Sequence, residues 1–262
     1  MNKDTNYCAD FLSSVEADGM HNPLLFQIRE AVKFRLPDGG VTLDFAKVQG
    51  KKQYADTAIA ANYITTLKLP YDLIALEVPY SEVNTKTIIV VKQQADGSII
   101  YVPLSKITTP DMGFWFEYGL TGIIEPNFNG RYTVDENFTT NPDRDEYRKY
   151  AMSLYSYAVL SFIAALQCSN VKLMDDVAPA KLNKSRIKKG KEPLFDYKVL
   201  TIDTQSATTK KGAANASEPT HSKREHLRRG HIRRLESKTV WVNPCVVGDS
   251  SKGNINKEYR VI

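Results

Sequence analysis

The chain has 262 residues, of which 42% are hydrophobic and 25% charged, and its formal net charge is +5. This composition is typical of globular proteins and excludes collagen-like, low-complexity and disulfide-rich secreted chains. Cys8, Cys168 and Cys245 form neither a disulfide framework nor a CxxC pair. No charged segment leading into an apolar one opens the chain, so we expect no secretory signal and a cytoplasmic protein.

Charge is distributed unevenly along the chain. Residues 1–180 carry 16 lysines and arginines against 22 aspartates and glutamates, whereas residues 181–238 carry 16 against 6. We therefore predict two domains, an acidic body at residues 1–180 and a basic C-terminal region at residues 181–262. The basic region is expected to meet a polyanion such as RNA. The alternatives are that these basic residues form a solvated face, or that they clamp the region onto the acidic body by pairing with its aspartates and glutamates.

The pattern of the body predicts an α+β fold. Asn22-Pro23 predicts the start of a helix, with apolar residues at helical spacing continuing to Phe34. Helical spacing recurs at residues 54–67, and strands are predicted at residues 73–78, 87–91 and 98–102. Asp96-Gly97 between the last two is a strong hairpin signal. Together they predict an antiparallel sheet with helices on one side.

Two apolar segments follow in the body. The aromatic run at residues 114–118 is predicted to lie in the core or to offer a stacking platform for bases or a peptide. Apolar residues at three-four spacing predict a long helix from about residue 143 to residue 167. Residues 151–171 carry no charge, as a membrane span would, but their 4 serines and 2 tyrosines favour a central core helix.

The basic region contains the candidate functional residues. A lysine-rich run at residues 181–191 precedes a predicted strand at 194–202 and a flexible loop at 203–220, which is rich in small and polar residues. Strands at 232–235 and 239–247 form a predicted β cassette, in which Gly230 marks a turn, Trp241 a buried position and Pro244 an edge or bulge. The candidates for binding RNA or a protein partner are Lys188, Lys189, His226, Arg228, Arg229, His231, Arg233 and Arg234.

The C-terminal third resembles a known family. HLRRGHIRRL followed by VWVNPCVVG, with SRIKKGKEPLFDYKVLTI upstream, is similar to the C-terminal signature of a family of phage and plasmid proteins that includes a type V-A anti-CRISPR inhibitor of effector-nuclease biosynthesis. The resemblance implies an anti-defence protein of a mobile element, acting in the host cytoplasm. It also implies that the protein binds a nascent target polypeptide at the ribosome and promotes loss of the mRNA being translated.

Other chemistries are possible on the same residues. An endoribonuclease would use His226 and His231 as acid and base, with Arg228 or Arg229 at the phosphate. A nucleic-acid-binding accessory protein is a third hypothesis. The histidines form no HxxxH motif, so no metal site is predicted. Without Walker, Rossmann or Gly-x-Ser-x-Gly motifs we predict no cofactor and no catalytic residue, and we expect an adaptor rather than an enzyme.

Overall fold

The computed structural model describes residues 6–18, 24–40, 64, 66–108, 113–117, 121–126, 132–137, 145–202, 224–228, 231–242, 245–247 and 249–255. The chain divides into two compact units, the first comprising Met1–Gln167 and Leu173–Thr201 and the second Cys168–Lys172 and Ile202–Ile262. The lysine-rich run therefore belongs to the first unit and the predicted cassette to the second. Most of the helix predicted at 54–67 and the loop at 203–220 lie outside the described residues.

The class of the fold is α+β. The helices described are α1 (Tyr7–Asp18), α2 (Leu24–Glu30), α3 (Asp145–Leu166) and α4 (Ala180–Lys188). A nine-stranded sheet contains β1 (Val32–Arg35), β2 (Leu73–Tyr80), β3 (Thr85–Gln93), β4 (Ile99–Thr108), β5 (Gly113–Glu117), β6 (Thr121–Pro126), β7 (Tyr132–Asn137), β8 (Val171–Asp176) and β9 (Tyr197–Ile202). Its order is β7-β6-β4-β3-β2-β1-β9-β8, with β5 also paired to β4.

The sheet is mixed rather than wholly antiparallel. Strands β2 to β7 are joined by antiparallel pairs, and the Asp96-Gly97 turn joins β3 to β4 as predicted. Strand β1, in contrast, runs parallel to both β2 and β9. Residues 32–35 were predicted to continue a helix, and this prediction is wrong. Val32 and Phe34 are residue types that favour strands, and the backbone of β1 finds hydrogen-bond partners in both neighbouring strands.

Helices cover both faces of the sheet, whereas one covered face was predicted. On one face, Phe11 and Leu12 of α1 and Ile28 of α2 belong to a buried cluster. The sheet residues in that cluster are Ala75, Ile88, Val90 and Leu104. On the other face, Phe34 of β1 meets Phe162 of α3 edge-on, with ring centroids 4.9 Å apart. Because side chains alternate along a strand, each strand supplies residues to both layers.

Helix α3 is buried on every side over residues 155–165. Its polar side chains there are satisfied: the Ser156 hydroxyl lies 2.7 Å from the Tyr101 hydroxyl, and the Ser161 hydroxyl donates to the Gly40 carbonyl at 2.9 Å. Buried serines of this kind are tolerated because they keep hydrogen-bond partners. Among the described residues, no helix is long and apolar enough to cross a membrane.

The second unit contains short strands. They are β10 (Arg224–Arg228), β11 (His231–Arg234), β12 (Thr239–Val242), β13 (Cys245–Val247) and β14 (Asp249–Ile255). Strand β10 lies between β13 and β14 in a three-stranded sheet, and β11 pairs with β12 in a hairpin. The segment predicted as one strand at 239–247 is thus two strands, β12 and β13, in different sheets. The turn of the hairpin is closed by the Leu235 amide, which donates to the Lys238 carbonyl at 2.8 Å.

Candidate nucleic-acid interface

The predicted site residues fall into separate parts of the fold. Lys188 ends α4 and Lys189 caps it, both in the first unit. In the second unit, His226 and Arg228 lie on β10, whereas His231, Arg233 and Arg234 lie on β11 and Trp241 on β12. Arg229, Gly230 and Pro244 lie outside the described residues.

The two histidines proposed as acid and base belong to different sheets. His226 of β10 is paired with Val247 of β13, and His231 of β11 is paired with Val242 of β12. No shared ladder of hydrogen bonds therefore brings them together. The part of the chain that the structure describes also holds no group of three or more histidine, cysteine, aspartate or glutamate residues suited to a metal ion.

A buried asparagine holds the hairpin that carries Arg233. The side chain of Asn170 donates to the Trp241 carbonyl at 2.7 Å and accepts from the Trp241 amide at 2.8 Å. The Ser169 amide donates to the Thr239 carbonyl at 2.9 Å, which adds a further backbone contact to β12. Trp241 is buried, while Arg233 and the turn at residues 235–238 are exposed. The hairpin thus presents a fixed, exposed arginine.

Helix α4 is held by polar contacts rather than by burial, since none of its residues is buried. The Asn183 side chain donates to the Leu194 carbonyl at 2.9 Å and accepts from the Leu194 amide at 2.7 Å. The Arg186 Nε donates to the Glu192 carbonyl at 2.7 Å. Because Asn183 and Arg186 are three residues apart, both lie on the face of α4 that meets residues 192–194.

The C-terminus of α4 is closed by a Schellman motif. Gly190 has a φ of +64°, a left-handed conformation that glycine adopts without strain. Its amide donates to the Ile187 carbonyl at 3.0 Å, and the Lys191 amide donates to the Arg186 carbonyl at 3.0 Å. The sequence Lys188-Lys189-Gly190-Lys191 therefore forms a defined cap, and its lysines start from a fixed backbone.

The opposite side of α4 carries a lysine face, formed by Lys181, Lys184 and Lys188. These positions are spaced i, i+3 and i+7, so their side chains share one side of the helix over about 10 Å of its axis. All three are exposed, as are Lys189 and Lys191 just beyond the helix. No aspartate or glutamate occurs from Val177 to Lys191. Among the described residues, the ion pairs found involve other cations: Arg29, Arg35, Lys106 and Lys198.

This arrangement is unfavourable for the helix alone. Like charges three or four residues apart destabilise a helix by about 0.2–0.5 kcal/mol per pair. Acidic residues placed between the lysines would remove that cost, and the sequence has none there. A bound polyanion would remove it as well. The lysine face therefore has the chemistry of an anion-binding surface.

Exposed apolar side chains lie close to the lysine face in sequence. Met174, Val177, Leu182 and Ile187 are between 40% and 68% exposed. A phosphate backbone gives such side chains no apolar partner, whereas a polypeptide does. The segment from β8 to α4 thus offers both cationic and apolar contacts.

Only part of this lysine-rich surface was predicted from the sequence. Lys188 and Lys189 were selected, but Lys181 and Lys184 were not, because residues 180–188 were not predicted to be helical. The signals were present in the spacing of the lysines and in Gly190 at the C′ position. Comparison with protein-family models, with curated proteins and with solved structures finds no match to this chain.

Proposed function

We propose that this protein is a non-catalytic RNA-binding adaptor whose lysine face contacts the phosphate backbone. The observation that carries the proposal is the lysine face itself, three exposed lysines on one side of a capped helix, in a stretch without aspartate or glutamate from Val177 to Lys191. Lysine is a flexible point charge suited to phosphates. Contacts to the backbone bind RNA without reading its bases, as expected of a protein that follows many messages or the ribosome.

The wider role in this proposal is interference with gene expression by a mobile element. The adaptor binds a nascent target polypeptide at the ribosome in the host cytoplasm and promotes loss of the mRNA that encodes it. Support comes from the family resemblance of the C-terminal third and from the charge of the second unit, which carries 13 lysines and arginines against 6 aspartates and glutamates. In this proposal α3 is the core helix of the body, and the basic C-terminal strands act as a cassette that meets RNA or a decay factor.

The exposed apolar residues near the lysine face support contact with a polypeptide as well as RNA. Met174 is 56% exposed and Ile187 is 60% exposed. A nascent chain can bury such side chains while the neighbouring lysines meet RNA. We therefore place the nascent-chain contact of the proposal on the segment from β8 to α4.

The endoribonuclease and the nucleic-acid-binding accessory protein are the alternative hypotheses. The ribonuclease requires His226 and His231 at one phosphate, and their strands belong to different sheets. A denaturing gel of RNA incubated with the purified protein separates the ribonuclease from the two non-catalytic hypotheses. The adaptor leaves the RNA at full length, whereas the enzyme shortens it in a manner that His226→Ala and His231→Ala abolish.

Binding of a short single-stranded RNA by the full chain tests the proposal. We expect Lys184→Ala/Lys188→Ala to weaken binding on the order of tenfold at low salt, because two phosphate contacts are lost. The slope of log Kd against log salt should also fall by about 1.4, at about 0.7 per contact with a single strand. Fluorescence anisotropy over a salt series measures both quantities.

A matched variant controls for total charge. Lys68 and Lys92 are exposed and lie away from α4 in sequence, so Lys68→Ala/Lys92→Ala removes the same charge and should leave the affinity within about twofold of the wild type. Equal losses in the two double variants would contradict the proposal, because they would show that net charge alone drives binding. A salt-independent affinity would contradict it too.

A further inference from the structure

The carboxyl group of Glu77 lies in the interior of the first unit, on β2. Its residue is 1% exposed. Oε1 accepts hydrogen bonds from the Cys8 amide at 2.7 Å and from the Tyr197 hydroxyl at 2.5 Å. Oε2 has no hydrogen-bond partner among the described residues. A carboxyl group with one unsatisfied oxygen is costly to ionise in such a place.

This carboxyl group joins elements that are far apart in the chain. Cys8 belongs to the first turn of α1, whose amides have no partner within the helix. Tyr197 begins β9, and the Glu77 carbonyl accepts from the Leu36 amide at 3.0 Å, just after β1. Glu77 therefore attaches the N-terminus of α1 to the sheet through its side chain, beside the local cap Asn6, whose Oδ1 accepts from the Ala9 amide at 3.2 Å.

Several titratable groups surround Glu77 or contact its partners. Lys33 Nζ donates to the Arg29 carbonyl at 2.7 Å and lies 4.1 Å from the centroid of the Phe195 ring. The Arg35 guanidinium pairs with Asp176 at 2.8 Å and lies over the Tyr197 ring. The titratable and charged groups contributed by the elements around the carboxyl are Tyr7 and Cys8 of α1, Lys33 and Arg35 of β1, Lys86 of β3 and Tyr197 of β9.

Their surroundings disfavour charge at each buried position. Burial raises the pKa of Glu77, and the hydrogen bonds from Tyr197 and Cys8 offset only part of that rise. Burial likewise raises the pKa of the Cys8 thiol well above its usual value, raises the pKa of Tyr7 to about 12 and lowers the pKa of Lys33. The pKa of Tyr197 is raised by burial and then by the adjacent Glu77.

We propose that Glu77 is a proton-operated latch for helix α1. In its neutral form the carboxyl group accepts from the Cys8 amide and holds the first turn of α1 on the sheet. Loss of the proton places a charge in the interior that the hydrogen bonds from Cys8 and Tyr197 offset only in part, and detachment of α1 admits water to that charge. Detachment also uncovers the apolar sheet residues beneath α1, including Ala75, Ile88 and Val90.

The sign of the pH dependence follows from the raised pKa. A carboxyl group with a higher pKa when folded binds its proton more tightly in the attached state than in the detached one. The attachment is therefore at full strength below the pKa of the detached carboxyl group, weakens as the pH rises from there, and is weakest above the folded-state pKa. The opening of α1 is expected to increase with pH from the range in which an exposed glutamate titrates up to the raised pKa of the attached Glu77.

Cys8 is a built-in reporter of this opening, because its residue is fully buried while α1 is attached. The full chain is alkylated with iodoacetamide at a series of pH values from acidic to mildly alkaline, and mass spectrometry follows Cys8. Each rate is divided by that of the denatured chain at the same pH, which removes the effect of thiol ionisation. In the wild type this ratio should rise by up to tenfold per pH unit between the pKa of an exposed glutamate and the raised pKa of the attached Glu77, and then level off. In Glu77→Gln it should stay flat.

Two controls make the outcome decisive. Cys168 is buried and belongs to the second unit, so its ratio should be the same in both proteins and reports any general unfolding. In Tyr197→Phe the carboxyl group loses a hydrogen bond that lowers its folded-state pKa, so the rise for Cys8 should continue to a higher pH before it levels off. An equal slope in Glu77→Gln, or a rise that levels off at the wild-type pH in Tyr197→Phe, overturns the proposal. Circular dichroism establishes that each variant is folded.

Discussion

Tyr101 of β4 lies across the neighbouring strand β6, where its register partner is Gly122. A Cβ atom added to Gly122 would lie 1.9 Å from Cζ of the Tyr101 ring. The ring is buried, and its hydroxyl reaches Ser156 of α3. One absent side chain therefore allows an aromatic residue to connect the sheet to the helix that covers it.

At this residue scale, Gly122→Ala should lower the free energy of unfolding by about 2–4 kcal/mol, as expected for overpacking together with a weakened buried hydrogen bond. Urea unfolding at fixed pH measures the change. The same substitution in a Tyr101→Leu background should cost less, because the clashing ring is gone. If the cost were equal in the two backgrounds, the proposed contact would not be its cause.

Two elements of this protein, α4 and the β11–β12 hairpin, are each held by the side chain of an asparagine. Asn183 pairs with the amide and carbonyl of Leu194, and Asn170 pairs with the same two groups of Trp241. An amide side chain can do this because it carries a donor and an acceptor side by side. For α4, which has no buried residue, such contacts replace the apolar packing that holds most helices.

At the scale of the element, Asn183→Ala should loosen α4 without removing any charge. We expect RNA affinity to fall by about two- to fivefold, since a less ordered lysine face loses more conformational freedom on binding. The slope of affinity against salt should stay at its wild-type value, because every lysine is kept. Anisotropy over a salt series measures both.

Ser185→Ala is the matched control for that experiment, since Ser185 is exposed on the same helix and takes no part in the hydrogen bonds between Asn183 and Leu194. It should bind RNA as the wild type does. A wild-type affinity for Asn183→Ala would show that the orientation of α4 does not matter to binding. A reduced salt slope would show instead that phosphate contacts had been lost.

Across the whole molecule, the two units differ in charge. The first carries 22 lysines and arginines against 24 aspartates and glutamates, and the second carries 13 against 6. Basic residues are thus concentrated on α4 within the first unit and outnumber acidic residues in the second. Such a distribution favours polyanions at low salt and makes affinity fall as salt rises.

A pull-down from growing cells tests the proposed role at this scale. Tagged wild-type protein should recover ribosomes together with one enriched mRNA, and RNase treatment should reduce that recovery. Lys184→Ala/Lys188→Ala and Arg228→Ala/Arg229→Ala should lose both, because each pair removes proposed phosphate contacts. Sequencing of the recovered RNA and quantification of ribosomal proteins give the measurement.

Lys68→Ala/Lys92→Ala should recover what the wild type recovers. If the wild type brings down neither ribosomes nor RNA, the adaptor proposal fails at the level of the cell. Recovery of ribosomes by all the variants alike would assign the contact to a part of the chain other than these cations.

The sequence by itself determined the features that depend on neighbouring residues. The Asp96-Gly97 hairpin between β3 and β4 was predicted correctly, because two turn residues and the flanking apolar strands set its geometry. The α+β class followed from the mixture of helical and alternating patterns, and the asymmetry of charge could be counted directly.

Only the tertiary structure decided the features that depend on distant residues. Residues 32–35 are a strand because β2 and β9 offer backbone partners on both sides, although their spacing also fits a helix. Glu77 is buried because Cys8 and Tyr197, 69 and 120 residues away, supply its donors. The spacing of the lysines puts them on one side of α4, but the hydrogen bonds between Asn183 and Leu194 decide which way that side faces. A local pattern limits what a segment can become, but partners far along the chain supply the hydrogen bonds and burial that select one outcome.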